Sequence, residues 1–335
     1  MSILQNASSG VRARETPAVT ELFRRYEANP ILTAADFPFT VNSVFNPGVT
    51  MFEGETLLLC RVEHRTGFSS LVVARSKDGL TKWIIEPDRC MEPLLETHDE
   101  QWGIEDPRIT KCGEDYNIVY TGYSTSGPLI CLATTTDFRN FRRLGVLSSP
   151  EDKDAALFPC QFNDQWILIH RPVARNESMG AHIWLSTSPD LQHWGNPQLL
   201  LAARKGGWWD SNKIGLSPPP LLTERGWLLL YHGVRITAAG ALYRLGLALL
   251  DKDDPSKVLA RSAEWVFGPS APYEVAGDVP GVVFPCGWLL LDDGDTIRMY
   301  YGAADTSIAV AEGSVRELLD FLVAHGSADP GPDSL

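Results

Sequence analysis

The chain repeats a pair of short apolar runs five times. The first run of each pair begins near residue 57, 116, 166, 227 or 297, and the second follows after a turn. Runs of this length rich in Val, Ile, Leu and Tyr predict β-strands. One small sheet cannot bury both of its faces alone, whereas five sheets in a ring bury each face against a neighbour. The repeat therefore predicts an all-β, five-bladed β-propeller and favours it over a β-sandwich.

The length of 335 residues suggests about two domains by ordinary domain size, but the repeat assigns most of it to one ring. We expect the propeller to span residues 31–312. The segment TELFRRYEA at 20–28 predicts a short helix within a partly helical N-terminal extension, residues 1–30. The segment SVRELLDFLVAHG at 314–326 predicts another helix within a C-terminal helix and tail, residues 313–335.

The charge balance excludes some classes of partner. The chain has 29 Lys and Arg against 42 Asp and Glu, a net charge of −13, whereas non-specific nucleic-acid binding needs clustered basic residues. No apolar run reaches the roughly 18 residues of a membrane helix, and the N-terminal segment lacks the apolar core of a secretory signal. We therefore expect no nucleic-acid or membrane partner.

The cysteines and histidines indicate the compartment and argue against a metal site. None of the six cysteines forms a CxxC pair, and most lie in or beside apolar runs, as is typical of buried free thiols in a reducing compartment. The seven histidines contain neither an HExxH motif nor a pair at helical spacing. We expect a cytoplasmic protein without a metal site.

Polar residues stand at or just after the ends of the runs that we take as the inner strands of the ring. Such positions face the central funnel of a propeller. They are Arg61, Glu63, Arg171, His232 and Asp305. Any one of them alone is more typical of a surface turn, but their recurrence at equivalent points of the repeat predicts a site for a polar ligand.

The segment WGIEDPRI at 102–109 lies between the first two repeats. Glu105 and Asp106 are adjacent, and successive side chains of a strand point to opposite faces. We therefore expect only one of the two carboxylates to enter the funnel. An ordinary acidic turn is the alternative interpretation.

Four basic residues are predicted to face the centre of this acidic chain. Lys153, beside Asp154, and Lys213 precede predicted strands, and Arg171 and His232 follow others. Such a set suits a small anion, because Arg offers a bidentate fork and Lys a point charge. Basic residues scattered over the surface are the alternative.

Carboxylates and aromatic rings near the predicted funnel also suit a neutral sugar. Sugar hydroxyls are bound by carboxylates, amides and Arg, with an aromatic ring beneath the sugar. Glu274 lies in a turn-rich segment, YEVAGDVPGVVFPCGW at 273–288, and Tyr243 is a candidate ring. Tryptophans at 102, 208 and 209 are further candidates, although tryptophan is as often simply a core residue.

Ten segments in consistent order carry a resemblance to a known family. They are FNPG (45–48), LLCRVE (58–63), GIEDPRI (103–109), DKDAALFP (152–159), HRP (170–172), WWDSNKIG (208–215), LLYHGV (229–234), YE..GDVP (273–280), VVFPCG (282–287) and YYGAADT (300–306). Together they resemble glycoside hydrolase family 130. The resemblance implies a five-bladed β-propeller that acts on β-mannosides, in most members as an inverting phosphorylase and in a smaller group as a hydrolase.

The resemblance also implies roles for individual residues. Asp106 resembles the catalytic acid, whose proton reaches the glycosidic oxygen through the 3-hydroxyl of the mannosyl unit. Lys153, Arg171, Lys213 and His232 fall where the family binds phosphate, with Lys153 at a position where phosphorylases carry Arg. Arg61, Glu274 and Asp305 resemble residues that hold the mannosyl unit, and Asn46 resembles another site residue. To these substrate-binding residues we add Glu63, Glu105, Asp154 and Tyr243.

We therefore predict a β-mannoside phosphorylase that uses inorganic phosphate as co-substrate, requires no cofactor and releases mannose 1-phosphate. A β-mannosidase and a non-catalytic sugar-binding propeller are the alternatives. We expect the linkage and acceptor to depend on loops at 64–68, 174–181, 203–210 and 235–243. The sequence leaves the oligomeric state open. An N-terminal segment that reaches a neighbouring subunit would be compatible with a homo-oligomer.

Overall fold

The computed structural model describes residues 21–173, 180–238 and 240–327, and their strands form five separate sheets. The sheets are the blades of a ring, so the predicted five-bladed β-propeller is confirmed. Residues 1–20 of the expected N-terminal extension, most of the loop at 174–181 and the tail from residue 328 lie outside the described residues.

Each blade is an antiparallel sheet. The N-terminal strand is β1 (Arg24–Arg25), and blade 1 comprises β2 (Ser43–Phe52), β3 (Glu55–Glu63), β4 (Ser69–Ser76) and β5 (Ile84–Met91). Blade 2 comprises β6 (Ile104–Cys112), β7 (Asp115–Ser124), β8 (Gly127–Thr135) and β9 (Arg142–Val146). Blade 3 comprises β10 (Asp152–Leu157), β11 (Trp166–Pro172), β12 (Ile183–Ser188) and β13 (Gly195–Leu201).

The last two blades include additional segments. Blade 4 comprises β14 (Lys213–Leu216), β15 (Leu221–Thr223), β16 (Gly226–Thr237), β17 (Gly240–Leu250), β18 (Val258–Ser262) and β22 (Gly326–Ser327). Blade 5 comprises β19 (Val283–Leu290), β20 (Thr296–Ala303), β21 (Ser307–Ser314) and β1. The helices are a 3₁₀ turn at Ala34–Asp36, α1 (Pro272–Val275) and α2 (Val315–His325).

The first strand of each blade lies at the centre of the ring. Strands β19, β2, β6, β10 and β14 contact one another in that order. The apolar runs that begin near 57, 116, 166, 227 and 297 are instead the second strands, β3, β7, β11, β16 and β20. Their prediction as inner strands is therefore wrong, although the count of five repeats is right.

A hydrophobic core fills every seam between neighbouring blades. Leu59 and Ile118 belong to the core between blades 1 and 2, and Leu168 and Ile130 to the core between blades 2 and 3. The other three seams, 3–4, 4–5 and 5–1, have equivalent cores. Each sheet thus buries both faces, which explains why its second and third strands read as nearly continuous apolar runs.

The two ends of the chain close the ring. Arg24 and Arg25 form the outer strand of blade 5 by pairing with Glu312 and Ala311. The predicted helix at 20–28 is therefore wrong over its described residues, and the propeller reaches back beyond residue 31. The predicted C-terminal helix is confirmed as α2, whose buried residues pack on the core between blades 4 and 5.

No helix within the described ranges combines the length and the apolar character needed to span a bilayer.

Candidate active site

The central strands of blades 1 to 3 each contain a bulge that aims a polar side chain inward. Asn46, Asp106 and Asp154 have φ angles of 45°, 51° and 54°, and each lies at a shift in the register with the next strand. Asn and Asp adopt this left-handed conformation more readily than most residues, and bulges re-aim side chains beside active sites. All three side chains are buried.

Arg61 joins two of the predicted site residues. Its Nη1 donates to Asp106 Oδ1 at 2.9 Å and its Nη2 to Glu105 Oε1 at 2.9 Å. Its guanidinium also lies over the Phe45 ring, 4.5 Å from the centroid. Asn46 Nδ2 donates to the same Asp106 oxygen at 2.9 Å. Asp106 is thus held from blade 1 by two donors.

The expectation that only one of Glu105 and Asp106 enters the funnel is wrong. Strict alternation would separate them, but the register shifts between Glu105 and Arg108. The bulge lets both carboxylates contact the guanidinium of Arg61.

Asp154 binds two of the four predicted phosphate ligands. Its Oδ2 accepts from Arg171 Nε at 3.1 Å and Nη2 at 2.5 Å, and it lies 3.3 Å from His232 Nε2. Because a carboxylate only accepts hydrogen bonds, His232 carries its proton on Nε2. Asp154 is only 1% exposed, and its Oδ2 orients Arg171 and His232.

Lys153, Lys213 and Tyr243 complete this cluster. The Tyr243 ring stacks on His232 at 6.3 Å and lies 5.7 Å from Lys213 Nζ. Burial disfavours the charge of Lys153, but Asp154, Asp106 and Glu105 outweigh burial and raise its pKa. The structure therefore brings the four predicted basic residues together, with acidic residues between them.

Burial and neighbouring charges set the protonation of three site residues. Burial alone would raise the pKa of Asp106, but Arg61, Lys153 and Arg108 outweigh it and lower that pKa. Burial lowers the pKa of His232, although Asp154 opposes the shift. Burial raises the pKa of Asp305 to about 6, against the opposing charge of Arg61. These shifts keep Asp106 ionised and His232 neutral at neutral pH.

Two predicted sugar ligands lie apart from this network. Glu274 is fully buried, and its carboxylate accepts from Arg25, the Tyr301 hydroxyl and the backbone N–H groups of Ser270 and Ala271. These partners enclose the carboxylate, so the prediction that Glu274 holds a sugar is wrong.

Glu63 lies two residues beyond Arg61 on β3 and is partly exposed. Its Oε1 accepts from Asn42 Nδ2 at 3.3 Å, and Asn42 also donates to Asp278. The structure therefore places Glu63 at the edge of the site, without a direct bond to the residues around Asp106.

Arg108 is a site residue whose role the sequence did not reveal. It is 1% exposed and donates to the backbone carbonyls of Asp106, Leu216 and Ser217. It therefore ties blade 2 to blade 4 across the centre and orders the segment that follows Lys213. Arg108 Nη2 also lies 3.7 Å from Asp154 Oδ1, so this Arg pairs with a carboxylate as well.

His170 is a second supporting residue that the sequence did not single out. Its Nδ1 lies 2.6 Å from Asp152 Oδ2 and its Nε2 lies 2.9 Å from Ser186 Oγ. The three side chains are buried and link β10, β11 and β12. This network fixes the strands that carry Lys153 and Arg171.

Two buried oxygens of the site accept no hydrogen bond among the described residues. They are Asn46 Oδ1 and Asp154 Oδ1. A buried acceptor without a donor is costly, so both atoms suit a hydroxyl or a water molecule. Among the described residues, His, Cys, Asp and Glu form no group that could hold a metal ion.

A family model described as beta-1,4-mannooligosaccharide phosphorylase matches residues 12–324. The chain belongs to glycoside hydrolase family 130. The family resemblance found in the sequence is thus confirmed over nearly the whole chain.

Relatives within family 130 match this chain along most of their length. The beta-1,4-mannooligosaccharide phosphorylase of Ruminococcus albus is 34% identical, covering 90% of this chain and 91% of that protein. The beta-1,2-mannobiose phosphorylase of Listeria innocua is also 34% identical, covering 88% and 97%. The structure of a beta-1,2-mannobiose phosphorylase from Listeria innocua, in complex with beta-1,2-mannobiose, superposes with a TM-score of 0.82 at 32% identity and covers 90% and 99%.

Proposed function

We propose that this protein is an inverting β-mannoside phosphorylase, which transfers a mannosyl unit to inorganic phosphate and releases mannose 1-phosphate. The observation that carries the proposal is the convergence of Lys153, Arg171, Lys213 and His232 at the centre of an acidic protein. A hydrolase needs no such set, because water carries no charge. Two relatives in family 130 that match most of the chain, each 34% identical, are named as phosphorylases.

Asp106 is the general acid in this proposal. Asn46 and Arg61 hold its carboxylate, and its proton reaches the glycosidic oxygen through the 3-hydroxyl of the mannosyl unit. As the bond from C1 to that oxygen breaks, a phosphate oxygen attacks C1 from the opposite face and forms the new bond. Phosphate is already anionic, so no protein base is required.

The basic cluster binds and orients the phosphate. Arg171 uses Nε and Nη2 on Asp154, and its Nη1 has no hydrogen-bond partner within the described ranges. Lys153 and Lys213 add positive charge, and His232 adds more when the bound anion favours its protonation. Asp154 fixes the directions of Arg171 and His232 and is a positioning residue.

The remaining polar residues hold the mannoside. Arg61, Glu105 and Asp305 interact around Asp106, and Asn46 Oδ1 is an open acceptor. Tyr243 supplies an aromatic wall beside His232, and Glu63 lies at the edge. The catalytic unit is the ring, residues 31–312, together with the strand at Arg24–Arg25.

We place the protein in the cytoplasm, with a β-mannoside and phosphate as its ligands and no further cofactor. All six cysteines are free, which suits a reducing compartment. Cys60, Cys131 and Cys286 are buried, whereas Cys90 and Cys112 are partly buried and Cys160 is exposed, so the expected burial holds for three of the six thiols.

Phosphate dependence tests the proposal. Mannobioses and mannosyl-glucose are incubated with the protein, with and without phosphate, and product sugars are quantified. Phosphorolysis predicts turnover only with phosphate, and an Arg171→Met variant needs far more phosphate for the same rate. Equal release of free mannose without phosphate would instead identify a β-mannosidase, and binding without turnover would identify a sugar-binding propeller.

A further inference from the structure

A cavity of about 450 Å³ lies on blade 4, outside the central cluster. Its wall combines aromatic, basic and acidic side chains, chiefly Trp208, Trp265, Arg235, Arg244, Leu242 and Glu264. Neither the proposed phosphate site nor the proposed mannosyl site uses any of them.

The aromatic and basic groups of this cavity are partly exposed, although the Arg204 guanidinium lies over the Trp208 ring, 4.6 Å from its centroid. Trp208 is 43% exposed, although large aromatic side chains are usually well buried. Arg244 lies 4.9 Å from the Trp265 ring centroid, and its one hydrogen bond within the described residues is to the Tyr243 carbonyl. Burial lowers the pKa of Arg244. Arg244 forms no ion pair with a carboxylate among the described residues, although the charge of Glu21 opposes the lowering of its pKa, whereas nearby Arg204 donates to Asp210.

The cavity lies on the opposite face of the hairpin β16–β17 from the central cluster. Tyr243 is stacked on His232 in the cluster, and its neighbours Leu242 and Arg244 line the cavity. Alternate residues of a strand face opposite sides, so the same hairpin forms one wall of each site. The segment that carries Trp208 leads within five residues to Lys213, where the central strand β14 begins.

The hairpin rises above the centre at the substrate end. Lys213, the first residue of β14, pairs with Val234, and β16 continues three residues further to Thr237, about 10 Å at the usual rise per residue. Exposed Ile236 and Leu242 lie on this overhang. A chain that leaves the central site over the hairpin therefore meets the cavity next.

We infer that the cavity binds distal units of the oligomannoside chain, on the leaving-group side of the bond that is cleaved. The tryptophan faces that Arg204 and Arg244 do not cover offer flat apolar surfaces to pyranose rings. Arg244, Arg235 and Glu264 offer hydrogen bonds to hydroxyls. A disaccharide fills only the central site, whereas a longer chain also reaches the cavity. The inference rests on the proposed function, because it extends the same substrate.

Chain-length dependence of kinetics tests the inference. Trp208→Ala and Arg244→Gln are compared with wild type on mannobiose and mannohexaose of the linkage that the wild type cleaves, at saturating phosphate. Each variant is expected to lower kcat/KM for the hexaose about tenfold, equivalent to about 1.4 kcal/mol, through KM. The kinetics on mannobiose should stay within about twofold of wild type, which corresponds to less than 0.5 kcal/mol, because a disaccharide does not reach the cavity. Equal losses on both substrates, or no loss on the hexaose in either variant, would overturn the inference.

Leu222→Ala is the matched control, since Leu222 is an exposed apolar residue of blade 4 at the opposite end of β16. It should behave as wild type on both substrates.

Calorimetric binding of mannohexaose without phosphate separates the two proposals. If no mannoside is phosphorolysed but Trp208→Ala still weakens hexaose binding, the proposed function is wrong and binding of the mannoside chain in the cavity is supported. If mannobiose is phosphorolysed but hexaose binding is unchanged in both variants, the cavity fails alone. Melting temperatures near that of wild type show that each variant is folded.

Discussion

Arg61 donates a 2.9 Å hydrogen bond from Nη1 to Oδ1 of Asp106, across the seam between blades 1 and 2. The carboxylate also accepts from Asn46. Burial would raise its pKa, but Arg61, Lys153 and Arg108 lower it. The free protein therefore keeps Asp106 without the proton that a general acid needs, so the proton must arrive with the substrates.

Phosphate binding is expected to take up protons. A bound phosphate dianion adds negative charge beside Lys153 and His232, which raises the pKa of Asp106 and of His232 toward neutrality. Titration calorimetry of phosphate in buffers of different ionisation enthalpy measures this uptake. At pH 7.5 we expect Asp106→Asn to take up fewer protons than wild type, because the ionisation change of phosphate itself is common to both proteins. An equal proton change in wild type and Asp106→Asn would contradict this role of Asp106.

Asp106→Asn is expected to abolish most turnover. The amide keeps the shape and accepts from Arg61, but it has no proton to give, and loss of a general acid typically costs about 10²–10⁴ in rate. Mannoside binding, measured by calorimetry, should persist. Asp88→Asn alters an exposed carboxylate far from the centre and should behave as wild type. Near-normal activity of Asp106→Asn would remove Asp106 from this role.

Gly215→Ala tests the support that Asp154 gives to the phosphate ligands. A Cβ at Gly215 would stand 2.5 Å from Asp154 Oδ2 and 2.5 Å from His232 Cε1, so both groups must move. Overpacking of this kind costs about 1–3 kcal/mol, and we expect kcat/KM for phosphate to fall about tenfold or more while mannoside binding is largely kept. Gly195→Ala has nothing within 4 Å of the new Cβ and is the control. Unchanged phosphate kinetics would show that the contact is not needed.

Asp305→Asn is expected to stabilise the fold above pH 6. Burial raises the pKa of Asp305 to about 6, whereas an unfolded Asp titrates near pH 3.9. Between these values the folded state retains a proton that the unfolded state has lost, so stability falls as pH rises through this window. The charged Asp305 then costs on the order of 3 kcal/mol at neutral pH.

Thermal unfolding across pH checks the sign of this effect. The variant should melt a few degrees above wild type at pH 7.5, and the difference should vanish near pH 4. A destabilised variant at pH 7.5 would show that Asp305 stabilises the fold in its charged form.

The architecture was predictable because burial on both faces leaves a clear apolar signature in the second and third strands. The central strands were harder to recognise, since bulges interrupt their pattern at Asn46, Asp106 and Asp154. The similarity of the segments FNPG, EDPR and KDAA is a sequence signal from which these central strands could have been recognised. Aligned with one another, they place all three residues at one equivalent point of the repeat and identify them as a set.

Other errors came from contacts between distant parts of the chain. Phe23 and Tyr26 fit a helical pattern locally, but Phe23 packs on Phe267 with ring centroids 6.0 Å apart, and Arg25 pairs with Glu274. Arg25 and Glu274 are 249 residues apart. Local pattern reveals neither that the N-terminal segment becomes a strand nor that Glu274 is enclosed.

Phosphorus NMR of a mannobiose digestion tests the central claim most directly. With phosphate present, an inverting phosphorylase converts the β-mannoside to α-mannose 1-phosphate, and the account predicts that this signal grows in step with loss of the disaccharide. Loss of mannobiose with free mannose as the product and no sugar phosphate would contradict phosphorolysis at this site.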